Sequence, residues 1–205
     1  MLYSLVTLTA KMGSFPALSA ALADFVPKAP LNGTLLGAFF CEIGDINRTR
    51  LLYATDEPAG IADDCTKMLG GAMPGNMSDV LESVEVRSYV PFPGIPAIEP
   101  GKYGPIYEFR DYGLKPGCVQ GAIDAWMKQL PVREKLSKNL MAMWAIDGDK
   151  LPRYIHIWPY SDLNHRTNTR AEAIKTGAWP PPGLTPNIAS QSTSIWLPTP
   201  YSPLQ

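Results

Sequence analysis

Leu2-Tyr3-Ser4-Leu5-Val6-Thr7-Leu8 returns 104 residues later as Ile106-Tyr107-Glu108-Phe109-Arg110-Asp111-Tyr112. The register then runs without a gap through Lys11/Lys115, Gly13/Gly117, Val26/Leu130, Pro27/Pro131, Leu36/Leu140, Gly44/Gly148 and Asp45/Asp149. The identities are sparse and sit where backbone geometry is demanding, and the apolar periodicity matches between them. This is the mark of a duplicated structural unit. The copies also differ: Ser4, Val6 and Leu8 of the first strand stand against Glu108, Arg110 and Tyr112 of the second.

Working outward, Leu2 to Thr9 and Ile106 to Gly113 read as strands, rich in β-branched and aromatic residues. Each is followed by a glycine that turns the chain into a helix. Phe15, Leu18, Leu22 and Phe25 form one apolar stripe; Val119, Ile123, Trp126, Met127 and Leu130 form the other. Pro27 and Pro131 meet these helices at the same place, so each helix is expected to kink or end there. Paired strands follow, Leu35 to Ile43 with Arg50 to Thr55 and Leu140 to Ile146 with Arg153 to Tyr160. Asp147-Gly148 between two apolar runs is a hairpin signal. Helices are expected over Pro58 to Leu69 and Ser161 to Lys175, the latter with Ser161 as N-cap. Final strands fall near Ser83 to Val90 and Ser190 to Leu197, each running into proline.

Each unit is therefore β-α-β-β-α-β, the ferredoxin-like arrangement. Two such units in one chain can press their bare sheet faces together. The expected fold is α+β, with tandem ferredoxin-like repeats over residues 1–93 and 106–205 closing an intrachain barrel. Residues 94–105 form a Pro/Gly-rich crossover, and the second repeat carries a proline-rich C-terminal tail.

Composition bounds the function. The 205 residues are 45% hydrophobic and 18% charged, enough to bury a core. A formal net charge of -1 argues against nucleic-acid binding, which needs a basic face. No apolar run approaches the roughly 20 residues of a membrane span, and the N-terminus reads as a first strand rather than a signal peptide. Cys41, Cys65 and Cys118 lack CxxC spacing, so neither a disulfide framework nor zinc is indicated, and a cytoplasmic setting follows as the default.

From Ile106 to Gly117 the residues resemble the opening of the NIPSNAP family domain. The likeness continues through Trp144, Gly148-Asp149, Ile155-His156-Ile157-Trp158, the helix with His165, Arg166 and Arg170, and the closing Leu197-Pro198-Thr199-Pro200-Tyr201-Ser202-Pro203-Leu204. It covers about half the chain, with the first half as the diverged partner repeat. The resemblance implies the dimeric α/β-barrel superfamily, which hosts cofactor-independent monooxygenases, isomerases, cyclases and haem proteins; fold analogy does not select among them.

Alternation along strands puts Glu108, Arg110 and Tyr112 on one face and Tyr154, His156, Trp158 and Tyr160 on another. With Ile155 and Ile157 taken to cover the helices, these polar-aromatic faces are expected inside the barrel, with Trp144 as an added aromatic wall. Ser4, Val6, Leu8, Leu36 and Tyr53 of the first repeat then supply an apolar opposite side. Buried charges and phenols concentrated in this way suggest a small-molecule site. His156 is the candidate general acid or base, Arg110 the anion binder and Glu108 its orienter. Tyr112, Tyr154, Trp158 and Tyr160 line the pocket. The same pattern also reads as a structural Glu108–Arg110 ion pair with a hydrogen-bonded histidine. Arg166 and Arg170, four apart on a helix, are either a solvated face paired with Asp162 and Glu172, or an anion clamp at the barrel mouth or a subunit contact. His165 reads as a surface residue. Neither histidine has a carboxylate at metal-ligand spacing, so no metal or cofactor is implied; a haem axial histidine follows from superfamily analogy alone. Gly70-Gly71 and Gly101 to Gly104 lack the context of a dinucleotide loop. Asn32-Gly33-Thr34, Asn47-Arg48-Thr49 and Asn76-Met77-Ser78 match the glycosylation pattern but carry no weight without secretion.

The expected function is small-molecule binding with acid/base chemistry on an aromatic or unsaturated carbonyl compound, as isomerase, cyclase or monooxygenase, and association into a homo-oligomer. The alternative is an interaction scaffold with a filled barrel and an exposed apolar patch on the segment from Trp179 to Pro186, in keeping with the recruiting roles that the resemblance implies.

Overall fold

The computed structural model describes residues 1–29, 31–69 and 77–205; the Gly70-Gly71 and Asn76-Met77-Ser78 readings fall at least partly outside them. The first repeat contains β1 (Leu2–Ala10), α1 (Phe15–Phe25), β2 (Thr34–Ile43), β3 (Arg48–Thr55), α2 (Pro58–Leu69), the single turn α3 (Met77–Val80) and β4 (Leu81–Pro91). The second contains β5 (Ile106–Leu114), α4 (Val119–Arg133), β6 (Met141–Ala145), β7 (Arg153–Tyr160), α5 (Leu163–Lys175) and β8 (Ile188–Pro198).

The eight strands close into one barrel in the order β1-β3-β2-β8-β5-β7-β6-β4, every pair antiparallel. Each repeat contributes the sheet order of a ferredoxin-like unit. The two sheets join where β2 meets β8, from Phe39↔Pro198 to Ile43↔Ile195, and where β4 meets β6, from Tyr89↔Ala145 to Pro91↔Met143.

The positions at which the repeats agree have a backbone reason. Gly13 and Gly117 have φ of +79° and +80°, and Gly44 and Gly148 have +131° and +90°. Side chains rarely adopt these angles, so glycine is retained in both copies. The prolines act differently in the two. Helix α1 stops at Phe25 and Pro27 sits in a 3-10 turn, whereas α4 continues past Pro131 to Arg133. Helix α5 is capped by Asp162, not Ser161: the Asp162 carboxylate accepts from the His165 backbone N–H at 2.7 Å. Asp162 has the extended backbone that an N-cap needs.

Three buried clusters follow from strand alternation. Tyr3, Leu5, Phe39, Tyr107, Phe109, Met141, Met143, Ile155 and Ile157 fill the barrel interior from both repeats. Val6, Leu8, Leu18, Leu22 and Phe25 pack β1 against α1. Ile123, Trp126 and Leu130 of α4 pack on Tyr112, Tyr154, Trp158 and Tyr160. Each fully buried side chain of this size contributes roughly 1.5–3 kcal/mol of transfer free energy. Among the described residues, no helix is long and apolar enough to cross a membrane.

Candidate active site

The candidate faces point the opposite way from the sequence expectation. Ile155 and Ile157 enter the barrel, while Tyr154, His156, Trp158 and Tyr160 lie beneath the helices, together with Glu108, Arg110 and Tyr112. The reason is packing on both sides of the sheet. The narrow interior is filled by branched and unbranched side chains beside Phe39, Tyr107 and Phe109. The larger rings of β7 meet Trp126 of α4, whose ring centroid lies 4.9 Å from His156, 6.0 Å from Trp158 and 6.3 Å from Tyr154. Val6, Leu8 and Tyr53 of the first repeat belong to the α1 layer and Leu36 to the interior; Ser4 stands opposite Tyr53 on β3. None of them faces the candidate residues.

Between this sheet face and α4, α5 and the 179–191 segment is a cleft of about 260 Å³. Arg110, Tyr112, Trp158 and Tyr160 form its floor, with Glu108 and His156 set into it. Arg133 comes from α4, and Arg170, Ala173 and Ile174 come from α5. Trp179, Leu184, Ile188 and Gln191 close the remaining side. The segment expected as an exposed apolar patch is thus partly a wall of the cleft. Trp179 is half-buried and its ring lies 4.6 Å from Trp126 and 5.9 Å from Trp158. Tyr154 is buried beside the site, against Tyr112 and His156, and does not line the cleft; Trp144 packs on Phe92 further away.

Glu108 is the electrostatic centre. It is fully buried, and its Oε1 accepts from Arg110 at 3.2 Å, Arg166 at 2.5 Å and Thr193 at 2.8 Å, with Arg170 at 3.6 Å. Arg166 and Arg170 therefore pair with Glu108 rather than with Asp162 or Glu172, and Arg170 alone of the two lines the cleft. Three guanidiniums about one carboxylate leave an excess of positive charge. Glu108 Oε2 is buried without a hydrogen-bond partner.

Arg110 also binds its neighbour on the strand. Its Nε and Nη2 both donate to the Tyr112 hydroxyl, the first at 2.7 Å. Burial alone would pull Arg110 down, but Tyr112 and Glu108 outweigh it and hold the guanidinium above its ordinary range. Burial pushes the Tyr112 phenol up, against the pull of Arg110. With two guanidinium donors on its oxygen, Tyr112 has its own O–H free to donate.

His156 has a defined tautomer. Trp158 Nε1 lies 2.6 Å from His156 Nδ1, and an indole nitrogen only donates, so Nδ1 accepts and the proton of the neutral ring is on Nε2. That Nε2 is buried without a partner. Burial, with Arg110 and Arg133 adding to it, holds the imidazole well below its usual range.

Sequence reasoning missed Arg133 and Trp179. Arg133 lies with its Cζ 4.4 Å from the Trp158 ring centroid and donates to the Tyr160 hydroxyl at 3.3 Å. It continues the stripe of Trp126 and Leu130 at a spacing of three, a signal that its charge obscured. Trp179 gave no periodic signal, because it comes from an irregular proline-rich segment. His165 is exposed, and among the described residues no group of three His, Cys, Asp or Glu is placed to hold a metal ion.

Residues 107–203 match the NIPSNAP family model. The second repeat is a NIPSNAP domain. That domain contains Glu108, Arg110, Tyr112, His156 and the two arginines of α5. Human NipSnap homolog 3B is 31% identical over 114 residues, which is 53% of this chain and 46% of that protein. The chain spans about half the length of such curated relatives. The Drosophila melanogaster NipSnap protein aligns beyond the NIPSNAP domain, at 24% identity over 185 residues, 87% of this chain and 67% of that protein. Two crystal structures share the whole architecture. One is a monooxygenase candidate from Fusobacterium nucleatum, with TM-score 0.67, 12% identity, and coverage of 96% of this chain and 91% of that one. The other is an anthrone oxidase-like protein, with TM-score 0.68, 11% identity, and coverage of 97% and 91%. At these identities the likeness is one of fold.

Proposed function

We propose that the sheet–helix cleft of the NIPSNAP domain binds a small planar aromatic or unsaturated carbonyl compound and stabilises its enolate or phenolate form, without a cofactor. The observation that carries this is the Arg110–Tyr112 couple at the floor of an aromatic-walled cleft with excess positive charge. A phenol whose oxygen accepts from a guanidinium is a strong donor to a carbonyl oxygen, and the same guanidinium favours the anion that forms. Trp158, Trp179 and Tyr160 provide flat apolar walls for a ring.

This reading keeps Arg110 as anion binder and Glu108 as its orienter. It moves proton donation from His156 to Tyr112. His156 is enclosed by Tyr112, Trp126, Tyr154 and Trp158 and spends its basic nitrogen on the Trp158 indole, which makes it a positioning residue for the wall. Arg170 and Arg133 extend the positive field to the side of the cleft. With the substrate proton passed to solvent water, isomerisation and cyclisation begin from such an anion, as does oxygenation with molecular oxygen as the co-substrate and oxidant. The fold neighbours described as a monooxygenase candidate and as anthrone oxidase-like accord with that chemistry.

The test is native mass spectrometry of the full chain after incubation with a panel of hydroxylated aromatic carbonyl compounds, repeated with Arg110→Gln and Tyr112→Phe. Retention of one compound class is expected, with binding weakened about tenfold by Tyr112→Phe, the worth of one hydrogen bond of about 1.4 kcal/mol. Equal retention by both variants defeats the reading. The filled barrel interior favours a second reading, an interaction scaffold without catalysis; it predicts no retained compound at all.

A further inference from the structure

On the other face of β5 and β7, at one end of the barrel, is a second cavity of about 360 Å³. Its wall is built of ion pairs. Arg153 places Nε and Nη2 on Asp111 at 3.0 and 2.7 Å. Arg87 holds Glu85 at 2.7 Å and Asp149 at 2.9 Å, with Asp111 at 3.6 Å. Arg48 holds Asp45 at 3.0 Å, and Lys150 lies 3.9 Å from Asp149. The lining thus carries five cations, Arg50 among them, against four carboxylates.

Arg50 is the cation left over. Among the described residues the lining carboxylates pair with Arg48, Arg87, Lys150 and Arg153, and none forms an ion pair with Arg50. Its Nε is buried and unpartnered. The guanidinium is fixed over two rings of the interior, 4.3 Å from the Trp196 centroid and 5.2 Å from that of Phe109. Burial pulls it below its ordinary range, against the more distant fields of Tyr89, Asp111, Cys41 and Glu85. A half-buried guanidinium set against aromatic rings keeps its donors directed and available to a ligand. The hydroxyls of Thr7, Tyr89 and Ser192 share the lining.

We propose that this barrel mouth is a second ligand site, separate from the NIPSNAP cleft, which takes a small oxyanion, a phosphate or carboxylate group, on the Arg50 guanidinium. The oxyanion supplies the missing counter-charge, and the planar donors of arginine suit a two-oxygen face. The two tilted rings beside Arg50 block one side of it, and the paired Arg87 and Arg153 keep the surrounding field from turning negative. The two sites lie back to back: Arg110 faces one and Asp111 the other, so one strand separates them.

The experiment is a calorimetric titration of the full chain at low salt with inorganic phosphate and, separately, with acetate, alongside NMR of the Trp196 indole N–H. Saturable binding of at least one anion is expected, with a shift of that indole signal. Arg50→Gln is expected to weaken it at least about tenfold and Arg50→Lys less, because the lysine keeps the charge and loses the fork. Ser192→Asp, which leaves Arg50 and its ring contacts in place and adds an anion to the lining, is expected to lose binding as well. Arg110→Gln, on the far side of the strand, is expected to leave it unchanged. Loss in Arg110→Gln with retention in Arg50→Gln would assign the anion to the cleft and overturn the proposal. So would the absence of binding by either anion up to about 10 mM, or unchanged affinity in Ser192→Asp.

Discussion

Replacing Glu108 by Gln tests whether one carboxylate holds the cleft together. The substitution keeps size and an acceptor oxygen and removes the charge. In the native protein Arg110 and Arg166 each donate to Oε1, and their side chains are only 14% and 21% exposed. A hydrogen bond to a charged group is worth about 1 kcal/mol more than one to a neutral group, so these two contacts lose about 2 kcal/mol together. The two guanidiniums, now unneutralised in a half-dry site, add about 1 kcal/mol of repulsion. Arg170, 38% exposed and 3.6 Å away, is screened by water and adds little. The sum is about 3 kcal/mol, at the lower end of what breaking a buried pair costs. For a chain of this size that is a fall in Tm of roughly 6–12 °C, measured by far-UV circular dichroism and checked by the urea midpoint. The double variant Glu108→Gln/Arg166→Gln should lose less than the two single changes added together. A Tm within about 2 °C of wild type, or full additivity, would refute the account of Glu108 as the common counter-ion.

Three further outcomes are expected. In wild type, nitrogen-15 NMR should show His156 Nδ1 as the unprotonated ring nitrogen; Trp158→Phe should remove the donor that fixes it and cost about 1–3 kcal/mol for the orphaned acceptor, and a protonated Nδ1 in wild type contradicts the assignment. His156 has a folded pKa well below the ordinary 6.5, so the unfolded chain takes up its proton first and stability, full above that pH, falls as pH drops. The slope is up to about 1.4 kcal/mol per pH unit between pH 6 and 5, and His156→Gln should flatten it in denaturant titrations; an unchanged slope would mean that His156 is not held neutral. Trp179→Ala should open the cleft at a cost of about 1–2 kcal/mol, from its two ring contacts and partial burial, and increase acrylamide quenching of the remaining tryptophans; unaltered quenching would mean that Trp179 does not cover them.

The architecture was legible because duplication marks positions that backbone geometry restricts. Gly13 and Gly117 share a positive φ that other residues avoid, and the two apolar stripes predicted α1 and α4 on the correct faces. The direction of β5 and β7 was not legible. Alternation assigns residues to two faces but does not say which face is inside, and here both are apolar: Tyr107 and Phe109 oppose Tyr112, and Ile155 and Ile157 oppose Trp158. The stripe of α4, with Trp126 at its centre, was the missing clue, since an indole that faces a sheet calls for rings beneath it. The grouping of Glu108, Arg110, Tyr112 and His156 survived the reversal, because residues of equal parity stay together whichever way the strand is turned. Arg133 and Trp179 arrive from elements whose contacts are tertiary, and no local pattern joins them to β5.

The closure of the sheet has a consequence for the halves as separate molecules. Each repeat alone would present two unpaired strand edges, those of β2 and β4 in the first and of β6 and β8 in the second, and an uncovered inner face bearing Tyr3, Phe39 and Leu52 or Tyr107, Phe109 and Ile157. Such edges and faces promote association. Cut within the 94–105 connection, the two fragments are therefore expected to complement each other, and a chain carrying only one of them to pair with a second copy of itself or with the other fragment.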